Sequence, residues 1–213
     1  MGHASNEGRQ IMANLKVSVI YYSAMGTNYQ LAQTAAEAAL EAGAEVRLRR
    51  VKELAPAEAI QSNALWQAHH EATRDTVPEA TLDDLEWADA YIFSMPTRFG
   101  NMAAQMKQFL DTAGPLWGQG KLANKAVTAM SSAQNPHGGQ VSTFLSFYVT
   151  MYHWGAIVVA PGYTDPSVFA AGGNPYGTSA SQPQNGKVAD AELAAARHQA
   201  KRLVAIGRKL IQS

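Results

Sequence analysis

Apolar and polar positions along the chain form short apolar runs that alternate with longer amphipathic segments. Five of the runs predict strands, and they span residues 16–22, 44–51, 90–94, 126–131 and 156–159. Helical spacing of apolar residues predicts helices over residues 28–42, 82–87, 102–112, 141–154 and 190–211. Because parallel strands need crossover connections, this alternation predicts a parallel sheet with helices on both faces.

The number of strands favours one topology. With about five strands, the leading candidate is an α/β, flavodoxin-like, doubly wound parallel sheet in the order 2-1-3-4-5. Residues 56–78 predict a loop with a helical turn, and residues 168–187 predict a long polar loop that is either functional or disordered. We expect one domain over residues 15–213, preceded by a disordered or added polar arm at residues 1–14.

Composition and charge exclude several classes of function. Lys plus Arg and Asp plus Glu number 17 each, so the formal net charge is zero and no basic excess indicates a nucleic-acid partner. The absence of cysteine excludes disulfides, thiolate metal sites and thiol redox chemistry, so any redox activity needs a cofactor. No metal site is predicted. No run approaches the ~18 apolar residues that span a bilayer, and a cytoplasmic protein without a signal peptide is expected.

The segment after the first strand is a candidate anion site. In open parallel sheets ligands bind beyond the carboxyl ends of the strands, and a helix N-terminus there presents free N–H groups and a positive dipole end. The segment has hydroxyl donors but no Lys or Arg, which favours a single phosphate held by neutral groups. The alternative is an ordinary turn capped by Ser or Asn. The residues are Ser23, Ala24, Met25, Gly26, Thr27 and Asn28.

The segment after the third strand has the chemistry to bind a flat heterocycle. Phe99 offers an apolar face, Arg98 can stabilise negative charge on a ring system, and the backbone can hydrogen-bond a ring edge. The alternative is a proline-initiated turn in which Asn101 caps the next helix. The residues are Pro96, Thr97, Arg98, Phe99, Gly100 and Asn101.

A polar loop after the fourth strand, together with a few aromatic and histidine side chains, completes the candidates. His137 lies in that loop, and His153 and Trp154 lie near the start of the fifth strand, on another edge. Trp117 is either a packing anchor or a stacking lid. Each has an ordinary structural explanation by itself, but we expect them to converge on one rim. The loop consists of Ser132, Ala133, Gln134, Asn135, Pro136, His137, Gly138 and Gly139.

Signatures of other α/β proteins are missing at the expected places. There is no GxxxxGK[ST] phosphate loop, no GxGxxG after the first strand, no GxSxG nucleophile elbow and no HExxH metal motif. A response regulator needs carboxylates after the first and third strands, where this chain has Ser23 and the run Ser94, Met95 and Pro96.

Three motifs together are more specific than any one of them. PTRFGNM at residues 96–102 is followed by GPLW at residues 114–117, and the others are GGNPYG at residues 172–177 and VIYYS at residues 19–23. Together they resemble the WrbA family of flavodoxin-like, FMN-dependent NAD(P)H:quinone oxidoreductases (type IV), from Val17 to the final helix. The resemblance implies bound FMN, NAD(P)H and a quinone as substrates, and a homotetramer whose pockets are completed by neighbouring subunits.

The resemblance implies a role for each candidate segment. Residues 23–28 correspond to the loop that holds the FMN phosphate, and residues 96–101 include the positions along the isoalloxazine ring. Residues 132–138 correspond to the loop on the other side of that ring. His153 matches a family histidine near the flavin.

The resemblance also indicates catalytic and substrate-binding residues. Arg98 is expected to favour the anionic reduced flavin, and His153 to orient or protonate the quinone oxygen. Met25 and Trp117 are expected to bind substrate. Met25 stands where tyrosine is common in the family, Trp154 stands where a second histidine is common, and the loop after the fourth strand is about one residue longer.

We therefore expect an NAD(P)H dehydrogenase (quinone) that uses FMN to reduce quinones to hydroquinones by two electrons, with ping-pong kinetics because both substrates share one pocket. Two alternatives stay open. A flavodoxin-type electron carrier is disfavoured by the zero net charge and by the extra residues 172–177. A regulatory protein with the flavin fold and without quinone reductase activity is the other. No Arg/Lys cluster distinguishes NADPH from NADH.

Overall fold

A computed structural model describes residues 14–183 and 186–212 of the chain. The expected arm therefore lies outside the described residues, apart from Asn14. Seven strands occur in the described ranges. They are β1 (Lys16–Tyr21), β2 (Glu45–Arg50), β3 (Ala90–Arg98), β4 (Asn101–Met102), β5 (Ala126–Ala133), β6 (Ile157–Val158) and β7 (Thr178–Ser181).

The strands form one sheet whose main path has the expected topology. The order is β2-β1-β3-β5-β6, and every neighbouring pair is parallel. Because β5 and β6 are the fourth and fifth predicted strands, this confirms the predicted order 2-1-3-4-5. The predicted total of five is wrong, because β4 folds back antiparallel on the end of β3 and β7 pairs in parallel with the end of β5. β4 has two residues and β7 is the polar tetrapeptide TSAS, so neither gives an apolar run.

Nine helices connect the strands within the described residues. The predicted loop over residues 56–78 is wrong, since it contains two helices, the second of which is capped by Asn63 through its side-chain oxygen. Gly114, which follows the helix predicted over residues 102–112, begins a further short helix. The helices are α1 (Thr27–Glu41), α2 (Ala57–Gln61), α3 (Ala64–Thr73), α4 (Leu82–Trp87), α5 (Ala104–Asp111), α6 (Gly114–Gly118), α7 (Gln140–Trp154), α8 (Pro166–Ala170) and α9 (Asp190–Ile211).

The sheet has a hydrophobic layer on each face, which confirms the doubly wound architecture. One layer lies between the sheet, α5 and α7 and is rich in aromatic side chains such as Phe93 and Phe147, whose ring centroids are 5.1 Å apart. The other layer lies under α1 and α9 and is built from small side chains, including Ala35 and Ala200. Small residues let these two helices approach each other and the sheet closely. Full burial of a Phe or Leu side chain stabilises the fold by about 2 kcal/mol.

The segment predicted as a long loop over residues 168–187 contains the end of α8 and all of β7 among its described residues. Its GGNPYG motif ends at Gly177, where an added Cβ would lie 2.3 Å from the carbonyl oxygen of Ala129 and 2.7 Å from the ring of Phe144. Only glycine allows the chain to approach β5 this closely. The motif therefore brings the segment against the edge of the sheet, next to the carboxyl end of β5. No described helix is both long and apolar enough to cross a bilayer.

Candidate functional site

A cleft lies beyond the carboxyl ends of β1, β3 and β5. All three segments predicted from the sequence contribute to it, together with one residue after β7 that the sequence did not indicate. The side chains that line it are mostly small, apolar or neutral polar. They belong to Ser23, Ala24, Met25, Thr27, Asn28, Pro96, Thr97, Arg98, Phe99, Ser132, Ala133, Gln134, Gly138 and Gln182.

The N-terminus of α1 faces the cleft without a side-chain cap. Its N-cap is Gly26, which has φ 91° in the left-handed region and offers no side-chain acceptor to the first N–H groups of the helix. Ser23 Oγ instead accepts a hydrogen bond from Gly26 N at 3.0 Å, outside the helix. The turn before α1 is thus closed by Ser23, as the alternative expected, but no side chain caps the helix itself, and the N–H groups of its first turn keep their capacity for an anion.

A buried hydrogen-bond network fixes this turn to the sheet. Asn28 Nδ2 donates to Ser132 Oγ at 2.7 Å, and Ser94 Oγ donates to the backbone oxygen of Asn28 at 3.0 Å. All three residues are buried, so the bonds form in a medium of low dielectric constant. The network joins β1–α1, β3 and β5 at the base of the cleft, which holds the hydroxyl and amide groups in place before any ligand binds.

A tight hairpin turn presents Phe99 to solvent at the rim. Phe99 and Gly100 have φ 52° and 79°, so two consecutive left-handed residues reverse the chain between β3 and β4. A bulky residue is strained in that conformation, and such strain is concentrated at functional sites. The ring of Phe99 is fully exposed. Asn101 belongs to β4 and the N-cap of α5 is Ala103, so the predicted capping role of Asn101 is wrong.

The hairpin packs directly on the loop after β5. A Cβ on Gly139 would lie 2.8 Å from Gly100 Cα, so the two backbones approach this closely because residue 139 is glycine. Thr143 Oγ1 donates to Thr97 Oγ1 at 2.7 Å and links α7 to the same hairpin. The hairpin and this loop, which are expected on opposite sides of a ring, are therefore in direct contact where they line the cleft.

Arg98 is the one charged residue among the described residues that line the cleft. Its side chain is exposed, and Nη1 donates to the backbone oxygen of Thr97 at 3.1 Å. The guanidinium has five N–H groups, so most of its donors stay available. The cleft thus combines a neutral end at the start of α1 with a cationic end at the hairpin.

A half-buried carboxylate beside the cleft was not found from the sequence. Glu53 accepts hydrogen bonds from Tyr22 Oη at 3.0 Å, Trp66 Nε1 at 3.1 Å and Gln105 Nε2 at 2.7 Å. Burial tends to raise the pKa of Glu53, but these bonds and one from the backbone of Ala55 outweigh it and hold the pKa below its usual value. The carboxylate fixes α3 and α5 to β1.

The helix α3 also lies against the turn at Gly26 that precedes α1. His69 Nδ1 lies 3.5 Å from the position that a Cβ on Gly26 would occupy, and the ring of His69 is 5.5 Å from that of Tyr29. Desolvation by burial, followed by the neighbouring His70, lowers the pKa of His69 to about 4. The imidazole is therefore neutral near pH 7, and it adds no cation to the anion site.

His153 and Trp117 lie away from the cleft of their own chain. The helix α7 starts beside the cleft and rises about 20 Å before it reaches His153, near the amino-terminal ends of β5 and β6. Trp117 Nε1 donates to the backbone oxygen of His153 at 2.7 Å. The expected convergence on one rim thus holds for the three segments but is wrong, within one chain, for these two residues.

Two other candidate residues, Trp154 and His137, do not line the cleft. Trp154 is buried, and its ring packs edge-on to Tyr91 with centroids 6.4 Å apart, so it is a core residue rather than part of the cleft. His137 is exposed in the loop after β5. Trp117 belongs to α6 rather than to a loop.

Comparison with known proteins gives a consistent picture. A family described as NADPH-dependent FMN reductase matches residues 15–167. The chain is 50% identical over 200 residues to an NAD(P)H dehydrogenase (quinone) of Deinococcus radiodurans, with 93% of this chain and 98% of the relative covered. A protein of the same name from Syntrophobacter fumaroxidans is 40% identical over 206 residues, which cover 93% of this chain and all of the relative.

The fold is similar to that of solved flavodoxin-like proteins. A flavodoxin, WrbA-like protein from Agrobacterium tumefaciens superposes with a TM-score of 0.67 at 20% identity, covering 92% of this chain and 99% of the other. An NADH:FMN oxidoreductase in its apo form superposes with a TM-score of 0.56 at 19% identity. At these identities the structures support the fold, while the sequence relatives support the family.

Proposed function

This chain belongs to the WrbA-type family of NAD(P)H dehydrogenases (quinone), and we propose that it uses FMN to transfer two electrons from NAD(P)H to a quinone. The observation that carries the proposal is the cleft itself. It joins an uncapped helix N-terminus, a set of neutral donors and an exposed aromatic hairpin at the carboxyl edge of a doubly wound sheet.

The donor set of the cleft fits FMN part by part. The uncapped start of α1 and the hydroxyls of Ser23 and Thr27 would hold the phosphomonoester, which needs several donors and no metal. The hairpin at Phe99 and the loop from Ser132 to Gly138 would flank the ring. When bound, FMN accepts a hydride from a nicotinamide and returns two electrons to a quinone.

Arg98 supplies the electrostatic part of the mechanism. Its guanidinium lies at the hairpin end of the cleft, where the ring would gain negative charge on reduction, and a cation close to that charge would stabilise it. The bond from Nη1 to Thr97 O orients the group without using most of its donors. Arg98 therefore favours acceptance of the hydride from NAD(P)H.

One open side of the cleft is available to both substrates. Met25 lines it next to the rim, where the nicotinamide and then the quinone would contact the ring. Because the two substrates use the same face, the first product leaves before the second substrate binds. Ping-pong kinetics follow from that geometry.

A homotetramer is part of the proposal, and it gives His153 and Trp117 a function. The helix α7 exposes an apolar stripe on one face, with spacings of four, four and three residues. A second copy of the chain seated on this stripe would cover it and offer a route for His153 of one subunit to reach the cleft of another. There His153 would orient or protonate the quinone oxygen, with Trp117 against the substrate. The stripe consists of Val141, Leu145, Val149 and Tyr152.

A cytoplasmic location is also proposed, because NAD(P)H is a cytoplasmic reductant. Fractionation of expressing cells tests it: the activity should stay with the cytosol, and recovery in a periplasmic extract would contradict it.

The test of the function is the visible spectrum of the purified protein with FMN, followed by steady-state turnover. Bands near about 450 nm should bleach anaerobically with NAD(P)H and return with benzoquinone, and double-reciprocal plots should be parallel. A protein that stays yellow with NAD(P)H but exchanges electrons with a reduced partner protein would support an electron carrier instead. A colourless protein that takes up no FMN would support the regulatory alternative.

A further inference from the structure

Gln182 lies at the cleft although no motif pointed to it. It follows β7 directly, and its backbone N–H donates to Ala133 O at 2.7 Å, which extends the pairing of β7 with β5 by one more bond. Its side chain lines the cleft beside the start of α1. The backbone of Gln182 is therefore fixed by the sheet, while its amide is directed to the neutral end of the cleft.

The amide of Gln182 forms a pair with the hydroxyl of Thr27. Thr27 Oγ1 donates to Gln182 Oε1 at 3.0 Å, and Gln182 Nε2 has no hydrogen-bond partner among the described residues. The pair has three donors in total: one O–H and two N–H. One donor is used within the pair. If the amide rotates by 180°, Nε2 donates to Thr27 Oγ1 and the hydroxyl becomes free, so two donors are available in either orientation.

These two donors are at the place where the cleft has no cation. Arg98, the charged lining residue, belongs to the hairpin at the other end, and the nearby His69 is neutral near pH 7. A phosphomonoester dianion in this position must be compensated by N–H and O–H groups alone. Loss of one hydrogen bond to a charged group weakens binding by roughly tenfold to a hundredfold.

We propose that Gln182 binds the phosphate of FMN, directly through Nε2 or through the hydroxyl of Thr27 that it orients. The inference rests on the proposed function, because it takes FMN as the ligand of the cleft. It makes the segment after β7 part of the cofactor site, so that the phosphate is enclosed by α1 on one side and by Gln182 on the other.

A matched control residue lies on the neighbouring turn of α1. Gln30 Nε2 donates to Gly186 O at 2.8 Å, and Gln30 Oε1 accepts from Val188 N at 3.0 Å. Gln30 thus ties the same region of the chain to α1 without lining the cleft. Loss of its amide disturbs the packing of that region but removes no donor from the phosphate.

The experiment compares Gln182→Met with Gln30→Met in titrations of the apoprotein with FMN and with riboflavin, which lacks the phosphate. We expect Gln182→Met to raise the Kd for FMN about tenfold or more and to leave the Kd for riboflavin within about twofold. Gln30→Met should leave the ratio of the two Kd values at its wild-type level. An unchanged ratio in Gln182→Met would overturn the inference, as would an equal loss for both flavins.

A second variant and a second readout guard against an indirect effect. Gln182→Glu keeps the shape, replaces two donors by a negative charge and should weaken FMN by about a hundredfold or more, again without loss of riboflavin. The ³¹P resonance of bound FMN should shift in Gln182→Met and stay in place in Gln30→Met, and the converse contradicts the contact. The proposed function fails separately, if wild-type protein with FMN bound reduces no quinone.

Discussion

The indole N–H of Trp117 and the backbone oxygen of His153 form a 2.7 Å hydrogen bond at the end of α7 that lies farthest from the cleft. Both side chains are exposed. The bond couples α6 to the C-terminal end of α7, so the two residues are presented together on the surface. If they act on a quinone, they act at the cleft of another subunit.

Mixing two inactive variants tests this arrangement. His153→Asn removes the proton donor and should lower quinone turnover by at least about tenfold, with a changed pH profile, whereas Arg98→Gln impairs the cleft itself. Tetramers refolded from a mixture of the two chains contain intact clefts next to intact His153 side chains. Their specific activity in the quinone assay should exceed that of either parent.

Two outcomes contradict the shared site. Mixed tetramers no more active than the average of the parents would mean that His153 does not act at the cleft of another subunit. Turnover of His153→Asn equal to wild type across the pH range, with normal assembly, would place His153 outside the reaction.

The apolar stripe on α7 makes a separate prediction about assembly. Leu145 is half exposed in the middle of the stripe, and Leu145→Glu should place a charge in the buried contact and dissociate the tetramer. Sedimentation velocity should show smaller species, with quinone turnover reduced at least about tenfold while FMN stays bound. Gln108→Glu on the exposed face of α5 is the control and should keep the wild-type mass. A Leu145→Glu protein of wild-type mass would exclude this face as the interface.

Gly177 is predicted to be a stability hot spot. Gly177→Ala places a methyl group against Ala129 O and the ring of Phe144, and the overpacking should cost about 1–3 kcal/mol of the free energy of unfolding. Gly118→Ala in α6 meets no atom within 4 Å and should change that free energy by less than about 1 kcal/mol. Urea titrations of both variants measure the difference. Equal stabilities would mean that the segment before β7 does not press on β5 in solution.

The neutral His69 predicts a loss of stability in mild acid. Its pKa is lowered by desolvation to about 4, against an ordinary value of 6.5, so between these pH values the unfolded chain binds more protons than the folded one. The contribution of His69 to stability is therefore complete above pH 6.5 and decreases as the pH falls toward about 4.

Urea unfolding at a series of pH values measures this effect. His69→Asn should show a smaller decrease of the unfolding free energy between pH 6.5 and 4 than wild type does, and FMN affinity should be followed in parallel because the ring touches the anion turn. His137→Gln, in an exposed loop, is the control. Equal slopes for wild type and His69→Asn would show that His69 titrates normally in the folded protein.

Much of the fold follows from local patterns in the sequence. The strands β1, β3 and β5 are rich in apolar residues because both of their faces are buried, and α9 has a clear apolar stripe over 22 residues. The sequence missed β4 and β7 since their pairing depends on a two-residue turn and on the close approach at Gly177, neither of which produces a periodic signal. Likewise α3 depends on contacts with Glu53 and Asn63 rather than on periodicity.

The site also contains some residues that the sequence could predict and others that it could not. The turn at Gly26 and the hairpin at Phe99 follow strands that the sequence does predict, so their positions at one edge of the sheet could be inferred. Glu53 and Gln182 are brought to the cleft by hydrogen bonds to residues 31 to 155 positions away, for which a single sequence gives no signal. His153 lies near the start of the fifth predicted strand, as expected, and the length of α7 keeps it away from the cleft of its own chain.

The length and rotation of α7 set the position of His153 relative to the cleft. It has no Gly or Pro inside its 15 residues, starts where the hairpin packs and carries His153 in its last turn. Each residue of an α-helix adds ~1.5 Å and ~100° of rotation. Inserting one amino acid would therefore barely lengthen α7 but would swing everything beyond the insertion around its axis, so the phase of this helix specifies how neighbouring reaction centres could face one another.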